Sequence, residues 1–407
     1  MRQEQSGVAL LFMMIYFSAD TLLFGTNANL LVTSYGRYIQ ILLILVLFVK
    51  AKSEILKKKN LIMTTSFVLL LVTFLLVSFI NSDRIPVIFA KAFPMFMAFL
   101  YCLIYSFESF SESFRKVVYY LSICALFHGA LSLLLPSVVR MMPAVVNISD
   151  YLYYTFYLSS SFSETTGMIS NRLQSIFWEP GVFQMYINLA ILLELFSGHG
   201  INRKRLLVYI IALVFTFSTT GFIVFAWIML MHLVIRQGSK HVGKFIVASC
   251  LMLSAAFIIS HSFVGEMVFG KLTDETNENY GSTTVRAVSV LTNIEIAADN
   301  PIHGIGMDRM EDEFLQRSMI TKQNTSTLFY QFSAFGVFFG CLYMLGVILF
   351  GRCVSRRFSL RFCVFVMFFL LYLGENLQYS VYPLLTVFYG YDSLSNNYLK
   401  FNNINVS

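Results

Sequence analysis

Residues 61–80 read LIMTTSFVLLLVTFLLVSFI and carry no charged side chain. As an α-helix, a run of this length crosses the hydrocarbon core of a bilayer, which is about 30 Å thick. Similar runs recur along the chain, which is 57% hydrophobic and has a mean hydropathy of +0.70. Only 13% of its residues are charged, against about 25% in soluble domains. The sequence therefore excludes a soluble enzyme and predicts an all-α, polytopic bundle of transmembrane helices.

Hydropathy predicts about 11–12 spans within a single integral membrane domain over residues 1–407. The predicted spans are about 8–24, 30–49, 61–80, 86–105, 117–136, 181–197, 206–218, 221–235, 245–262, 327–350, 362–379 and a short one at 380–391. Two long segments, 137–180 and 263–326, are predicted to be loops, the second with short amphipathic helices. Long segments between spans are usually functional.

The orientation depends on Ser218-Thr219-Thr220-Gly221, which interrupts the apolar stretch 206–235. Two short helices here place the basic connections on one side of the membrane, whereas one long tilted helix inverts everything downstream. The basic connections are 50–60, 106–116, 198–205, 236–244 and 351–361. Because basic short loops remain in the cytoplasm, we expect a cytoplasmic N-terminus and both long loops outside. The net charge of +7 then encodes topology, and no nucleic-acid partner is expected.

The first long loop ends in a candidate catalytic group. Pro180 suits the first turn of a helix, so Glu179 is expected at a helix N-terminus, where the dipole favours the carboxylate form. Such a carboxylate accepts a hydroxyl proton. Arg172, seven positions earlier in the chain, is a candidate cation for the same site. The alternative is that Glu179 only caps the helix and pairs with Arg172.

The second long loop offers Arg286. Apolar residues at helical spacing follow it, and Pro301 ends the predicted helix. A cation in the first helical turn is unfavourable, which indicates an anion nearby. An ordinary ion pair with Glu275 or Glu278 is the alternative.

Other polar residues are weaker candidates. His303 stands in Pro301–Gly306, where the glycines suit either an anion-binding nest or a plain tight turn. Gln323 and Asn324 open the span 327–350, where such residues are usually caps. Among charges within spans, Lys91 is expected to reach the interface. Arg37 is predicted to be an interior functional cation, and Glu375 to lie at the outer end of its span.

Arginine forks suit phosphate oxygens, so the residues predict an amphiphile with a phosphate headgroup as substrate. The sequence contains no H-E-x-x-H, Walker or Asp-rich metal motif. We therefore expect a reaction without metal or cofactor, or a transport step.

The ordered set of motifs resembles a known family. It runs from Arg172 and Trp178–Gly181 through Ser218–Gly221 and Arg286 to Pro301–Gly306, followed by Gln323-Asn324 and Phe335-Gly336. This is similar to the O-antigen polymerase (Wzy) and O-antigen ligase superfamily of bacterial inner membranes. The motifs cover about 170–340, and the remainder is similar only in hydropathy.

The resemblance implies a glycosyltransferase at the periplasmic face that acts on oligosaccharides linked to undecaprenyl diphosphate. Arg172 and Arg286 match the family's arginines, which implies that they bind the diphosphate and stabilise it as leaving group. Gln323 stands where ligases carry His, which favours a polymerase of O-antigen, capsule or exopolysaccharide and leaves the general base to Glu179, Glu375 or His303. Gln323, Asn324 and Arg37 are the remaining substrate-binding candidates.

Two alternatives remain besides the polymerase. One is an O-antigen ligase, and the other is a flippase or transporter of lipid-linked oligosaccharide. The expected partners are the lipid-linked oligosaccharide, membrane lipid and a chain-length regulator protein.

Overall fold

The structure is a computed structural model of the chain. It describes residues 2–25, 30–55, 57, 60–146, 151–163, 169–170, 172–196, 200–237, 281–318 and 324–395. Of these residues 76% are helical and 5% lie in strands. The chain divides into two compact units. The first unit comprises Met1–Gln40, Glu108–Phe269 and Ile404–Ser407, and the second comprises Ile41–Phe107 and Gly270–Asn403.

The described helices follow one another along the whole chain. They are α1 (Arg2–Tyr16), α2 (Leu22–Gly25), α3 (Leu30–Ala51), α4 (Leu61–Ile80), α5 (Ile85–Ile104), α6 (Phe107–Leu134), α7 (Pro136–Arg140), α8 (Pro180–Phe196), α9 (Arg203–Phe215), α10 (Thr219–Gln237), α11 (Gly281–Asp299), α12 (Met310–Ser318), α13 (Thr327–Val354), α14 (Phe358–Gly374) and α15 (Val381–Ser395).

Four helices in the described part of the chain, α4, α5, α6 and α13, are long and apolar enough to cross a membrane. The apolar helices α8 and α14 are shorter, as are the apolar parts of α1 and α10. The chain is therefore mostly helical with the character of a membrane protein, while a bundle of 11–12 spans stays a prediction. The predicted span 245–262 lies outside the described residues.

The helix boundaries confirm some predictions and correct others. The helix α4 has the predicted bounds, and α9 and α10 are separate helices, as the Ser218 motif indicated. The predicted span 8–24 was wrong, because α1 ends at Tyr16. The segment that follows forms a bridge between Thr21 and Phe177 instead of continuing the helix. The predicted span 362–379 is likewise too long, because α14 ends at Gly374.

The predicted basic connection 106–116 was wrong, because α6 begins at Phe107 and contains it. Arg115 is 1% exposed and pairs with Glu194 at 3.3 Å and Glu112 at 2.7 Å. Arg205 reaches the same two carboxylates at 3.0 and 3.4 Å. Hydropathy cannot detect a helical turn whose charges neutralise one another inside the protein.

The all-α prediction is also corrected in the first long loop. Three strands, β1 (Ala144–Val146), β2 (Leu152–Thr155) and β3 (Ser160–Ser163), form an antiparallel sheet in the order β1-β2-β3. The register places Tyr153 opposite Phe162, and their rings lie 5.5 Å apart. Aromatic residues suit a half-buried pleated surface.

The core of the second unit surrounds α13. This helix packs against α4, α11, α14 and α15. A Cβ atom on Gly390 of α15 would lie 1.9 Å from the carbonyl oxygen of Gly346 on α13, so only glycine permits this crossing. The tight crossing fixes the end of α14 and the start of α15 beside the first turns of α13.

Candidate functional site

Arg172 is held by the connection between α9 and α10 in the first unit. Its Nε donates to the carbonyl of Thr216 at 3.1 Å, and the N–H of Leu173 donates to the carbonyl of Phe215 at 2.9 Å. Thr216 is the residue at which α9 ends. The structure therefore joins two motifs that the sequence analysis treated separately.

Glu179 lies directly before the first residue of α8, as predicted. It is half-buried, and its carbonyl accepts a hydrogen bond from Phe183 at 3.4 Å. The preceding residue, Trp178, donates its N–H to the carbonyl of Asp20 at 3.4 Å. The carboxylate of Glu179 therefore stands at the positive end of the α8 dipole.

Asp20 is a second carboxylate at this helix start, and the sequence analysis missed it as a site residue. It is 1% exposed, and its Oδ2 accepts a hydrogen bond from the hydroxyl of Tyr186 in α8. An acidic residue inside the apolar run 8–24 was the signal that pointed to it.

The sheet approaches Glu179 through Tyr153 on β2. Burial, together with the charge of Glu179 and with Tyr151, raises the pKa of Tyr153 to about 12. The phenol is therefore neutral across the physiological range and is a hydrogen-bond donor in the neighbourhood of the Glu179 carboxylate.

The Ser218 motif packs its glycine against α8. A Cβ on Gly221 would lie 3.1 Å from the Cβ of Gln184. The Nδ2 of Asn188 donates to the carbonyl of Gly221 at 3.2 Å and to the Oε1 of Gln184 at 2.9 Å. The motif thus serves helix packing in the first unit.

Arg286 and Glu375, both predicted as site residues, come together in the second unit. The Nε of Arg286 donates to the carbonyl of Gly374 at 3.2 Å, and its NH2 lies 3.4 Å from the Oε1 of Glu375. The Arg286 side chain is 31% exposed and that of Glu375 is 5% exposed. The alternative partners Glu275 and Glu278 lie outside the described residues.

Two details of this pair differ from the prediction. Because α11 begins at Gly281, Arg286 lies in the second helical turn, where the dipole argument is weaker. Glu375 caps α14 in an extended conformation instead of lying within a span. Its carbonyl accepts a hydrogen bond from Thr327 Oγ1, which in turn accepts from the N–H of Leu377 at 2.7 Å.

Asn324 connects α11 to the start of α13. It exchanges two amide hydrogen bonds with Asn293, at 2.9 and 3.0 Å, and Ser333 Oγ also donates to Asn293 at 2.6 Å. Ser326 is the N-cap of α13 and accepts from the N–H of Phe329. The capping interpretation of this stretch is confirmed, and Gln323 lies outside the described residues.

The predicted anion nest at Gly304–Gly306 was wrong. The N–H of Ile305 donates to Ser333 and that of Gly306 to Ala334, both at 3.0 Å. These α13 carbonyls are available because Gly336, at φ 80° and ψ 172°, interrupts the helix. The loop therefore fills a break in α13 and leaves no such nest for an anion.

His303 lies in the same loop with an exposed side chain. Its Nδ1 is 2.8 Å from the carbonyl of Gly304. Arg37 is exposed on α3, so its predicted interior placement was wrong, while its substrate-binding role stays a prediction. Lys91 was predicted to reach the interface but is 1% exposed.

The two neighbourhoods offer guanidinium groups that suit phosphate oxygens and carboxylates that accept protons. Arg172 and Glu179 belong to the first unit, and Arg286 and Glu375 to the second. No protein-family model matches the chain, and no curated protein is similar enough to count as a match.

Proposed function

We propose that the protein polymerises lipid-linked oligosaccharide repeat units of O-antigen, capsule or exopolysaccharide. In this proposal a bundle of 11–12 spans lies in a bacterial inner membrane, with both long loops in the periplasm. The observation that carries it is the pairing of Arg286 with Glu375, because a phosphate-binding group and a proton acceptor stand 3.4 Å apart. The apolar helices that hold them suit a lipid-linked substrate.

The chemistry follows from these two groups. The bond between the sugar C1 and the diphosphate oxygen breaks, and a bond forms from C1 to a hydroxyl of the next repeat unit. Undecaprenyl diphosphate leaves with the bonding electrons, and arginine hydrogen bonds stabilise its growing charge. The hydroxyl proton passes to a carboxylate. No metal or cofactor enters this scheme.

Glu179 and Glu375 are the candidate proton acceptors. Glu179 has the helix N-terminus beside it, and Glu375 has Arg286. Both environments favour the ionised carboxylate. His303 ranks behind them, because its ring lies beside the carbonyl of its own neighbour.

A flippase is the second candidate, because two observations favour it over a ligase. The helix α13 is interrupted at Gly336, and Lys91 is buried within α5. Broken helices and buried charges are typical of transporters.

The experiment is a deletion strain whose surface polysaccharide is separated by chain length. The proposal predicts that a ladder collapses to a single core-plus-one-unit band. Loss of attached glycan, with polymer still built on the lipid carrier, indicates a ligase. Single lipid-linked units that accumulate on the cytoplasmic side indicate a flippase. Reporter fusions should place residue 300 outside and residue 240 inside.

A further inference from the structure

Lys91 is a buried cation that the proposed chemistry does not use. Its Nζ donates to the Oε1 of Gln331 at 3.2 Å and to the carbonyl of Gln378. The rings of Phe335 and Tyr343 flank it, with centroids at 5.7 and 5.9 Å. Both acceptors are neutral. Among the residues that the structure describes, no carboxylate forms an ion pair with Lys91.

A buried ammonium without a counter-charge is unusual. Desolvation costs several kcal/mol for each ion, and burial is normally compensated by an opposite charge. An ammonium has three N–H donors, and the two acceptors and two rings around Lys91 satisfy donors without cancelling charge. The arginine in the same unit shows the usual solution, since Arg286 has Glu375.

Lys91 is linked to that pair by hydrogen bonds. The Nε2 of Gln331 donates to the carbonyl of Thr327 at 3.0 Å, and Thr327 Oγ1 donates to the carbonyl of Glu375. Gln378, the other acceptor of Lys91, lies three positions after Glu375. Lys91, Arg286 and Glu375 therefore form one connected group with two cations and one carboxylate.

We propose that Lys91 is the second cation of a phosphate site at Arg286, and that the bound phosphate supplies its missing counter-charge. This rests on the proposed function, which places a diphosphate at Arg286. Lys91 acts through its charge and through its hold on the 375–378 segment. It is thus a positioning residue for a multiply charged phosphate, whether this belongs to the substrate or to an anionic lipid headgroup.

The decisive variant is Gln331→Glu, which gives Lys91 the carboxylate that it lacks with almost no change in shape. The purified full-length protein is titrated with inorganic diphosphate, and both the affinity and the Tm without ligand are measured. We expect the affinity to fall about tenfold or more, because an added charge at this distance opposes the anion, while the Tm does not fall. A merely structural lysine predicts a changed Tm and an unchanged affinity.

Gln316→Glu is the matched control, because it makes the same change on the exposed face of α12. It should leave the affinity within about twofold of wild type. A second variant, Lys91→Met, should also lose the affinity, whereas Lys91→Arg should keep part of it. Diphosphate affinity that is unchanged in Gln331→Glu overturns the proposal, as does a wild-type protein that binds no diphosphate.

Two further measurements separate the remaining outcomes. Repeating the titration in nanodiscs with and without phosphatidylglycerol shows whether an anionic lipid competes for the site. Competition indicates a headgroup as the natural ligand, and its absence indicates the substrate. A normal glycan ladder with Lys91→Met refutes the role of Lys91 but leaves the polymerase proposal standing on the deletion strain.

Discussion

The guanidinium of Arg286 lies 3.4 Å from the carboxylate of Glu375, although 89 positions separate them in the sequence. The same guanidinium bonds to the carbonyl of Gly374. Together these contacts tie the second turn of α11 to the end of α14. A partly exposed arginine above a nearly buried glutamate presents a cation whose position is already fixed. Such preorganisation is what stabilisation of a departing diphosphate requires.

Replacing each candidate carboxylate by its amide identifies the general base. Glu375→Gln and Glu179→Gln both keep the shape of the side chain but cannot accept the proton. The variant that removes the base should slow chain extension by about 10²–10⁴-fold, measured by incorporation of labelled repeat units in membranes. Glu311→Gln, on an exposed position of α12, is the control. Full activity in both variants would transfer the role to another group.

Gly336→Ala should destabilise the second unit, because the loop 301–306 fills the break at this position. Its φ is 80°, and an added Cβ would lie 2.3 Å from the carbonyl oxygen of Ile302. Gly200 is the matched control, with φ 82° and nothing within 4 Å. Strained φ costs about 1–3 kcal/mol in each, and overpacking adds about 1–3 kcal/mol only at Gly336. Equal loss of Tm in the two variants contradicts this packing.

Tyr153 predicts a loss of stability at alkaline pH. Its pKa is about 12 in the folded protein and about 10 when unfolded. A raised pKa means that the stabilisation is fully present below pH 10 and is lost as the pH rises towards 12. Tyr153→Phe should therefore flatten the fall of Tm between pH 10 and 12. The exposed Tyr151 provides the control, and an unchanged slope in Tyr153→Phe refutes the assignment.

Glu194→Gln should strongly destabilise the first unit. Arg115 is 1% exposed and depends on Glu194 and Glu112 for its counter-charge. Breaking one partner of a buried pair costs about 3–5 kcal/mol. Glu54→Gln breaks the more exposed pair with Lys57 and should cost less than about 1 kcal/mol. Thermal unfolding of both variants in detergent compares the two losses, and similar values would contradict the burial of Arg115.

Local signals predicted the parts of the fold that local chemistry controls. The uncharged run 61–80 became α4 with the same bounds, and Pro180 began α8 with Glu179 before it. Pro301 correctly limited α11, which ends at Asp299. In each case a single residue type or an apolar run determines where a helix begins or ends.

Long-range contacts account for what the sequence did not reveal. The pairing of Arg286 with Glu375 crosses 89 positions, and no periodicity records it. Lys91 was expected at the interface because burial depends on α13 and the 375–378 segment packing around it. The sheet at 144–163 consists of strands of three or four residues, which are too short for a clear alternating pattern.

The central claim is that Arg286 binds a diphosphate leaving group during chain extension. The deletion strain is complemented with wild type, Arg286→Ala or Arg317→Ala, and the surface polysaccharide is separated by chain length. Arg317 is the control, because it lies on α12 and pairs with Asp299 and Glu313. The account predicts a single-unit band for Arg286→Ala and a full ladder for Arg317→Ala. A full ladder from Arg286→Ala, with the variant present in the membrane at the wild-type amount, would contradict it.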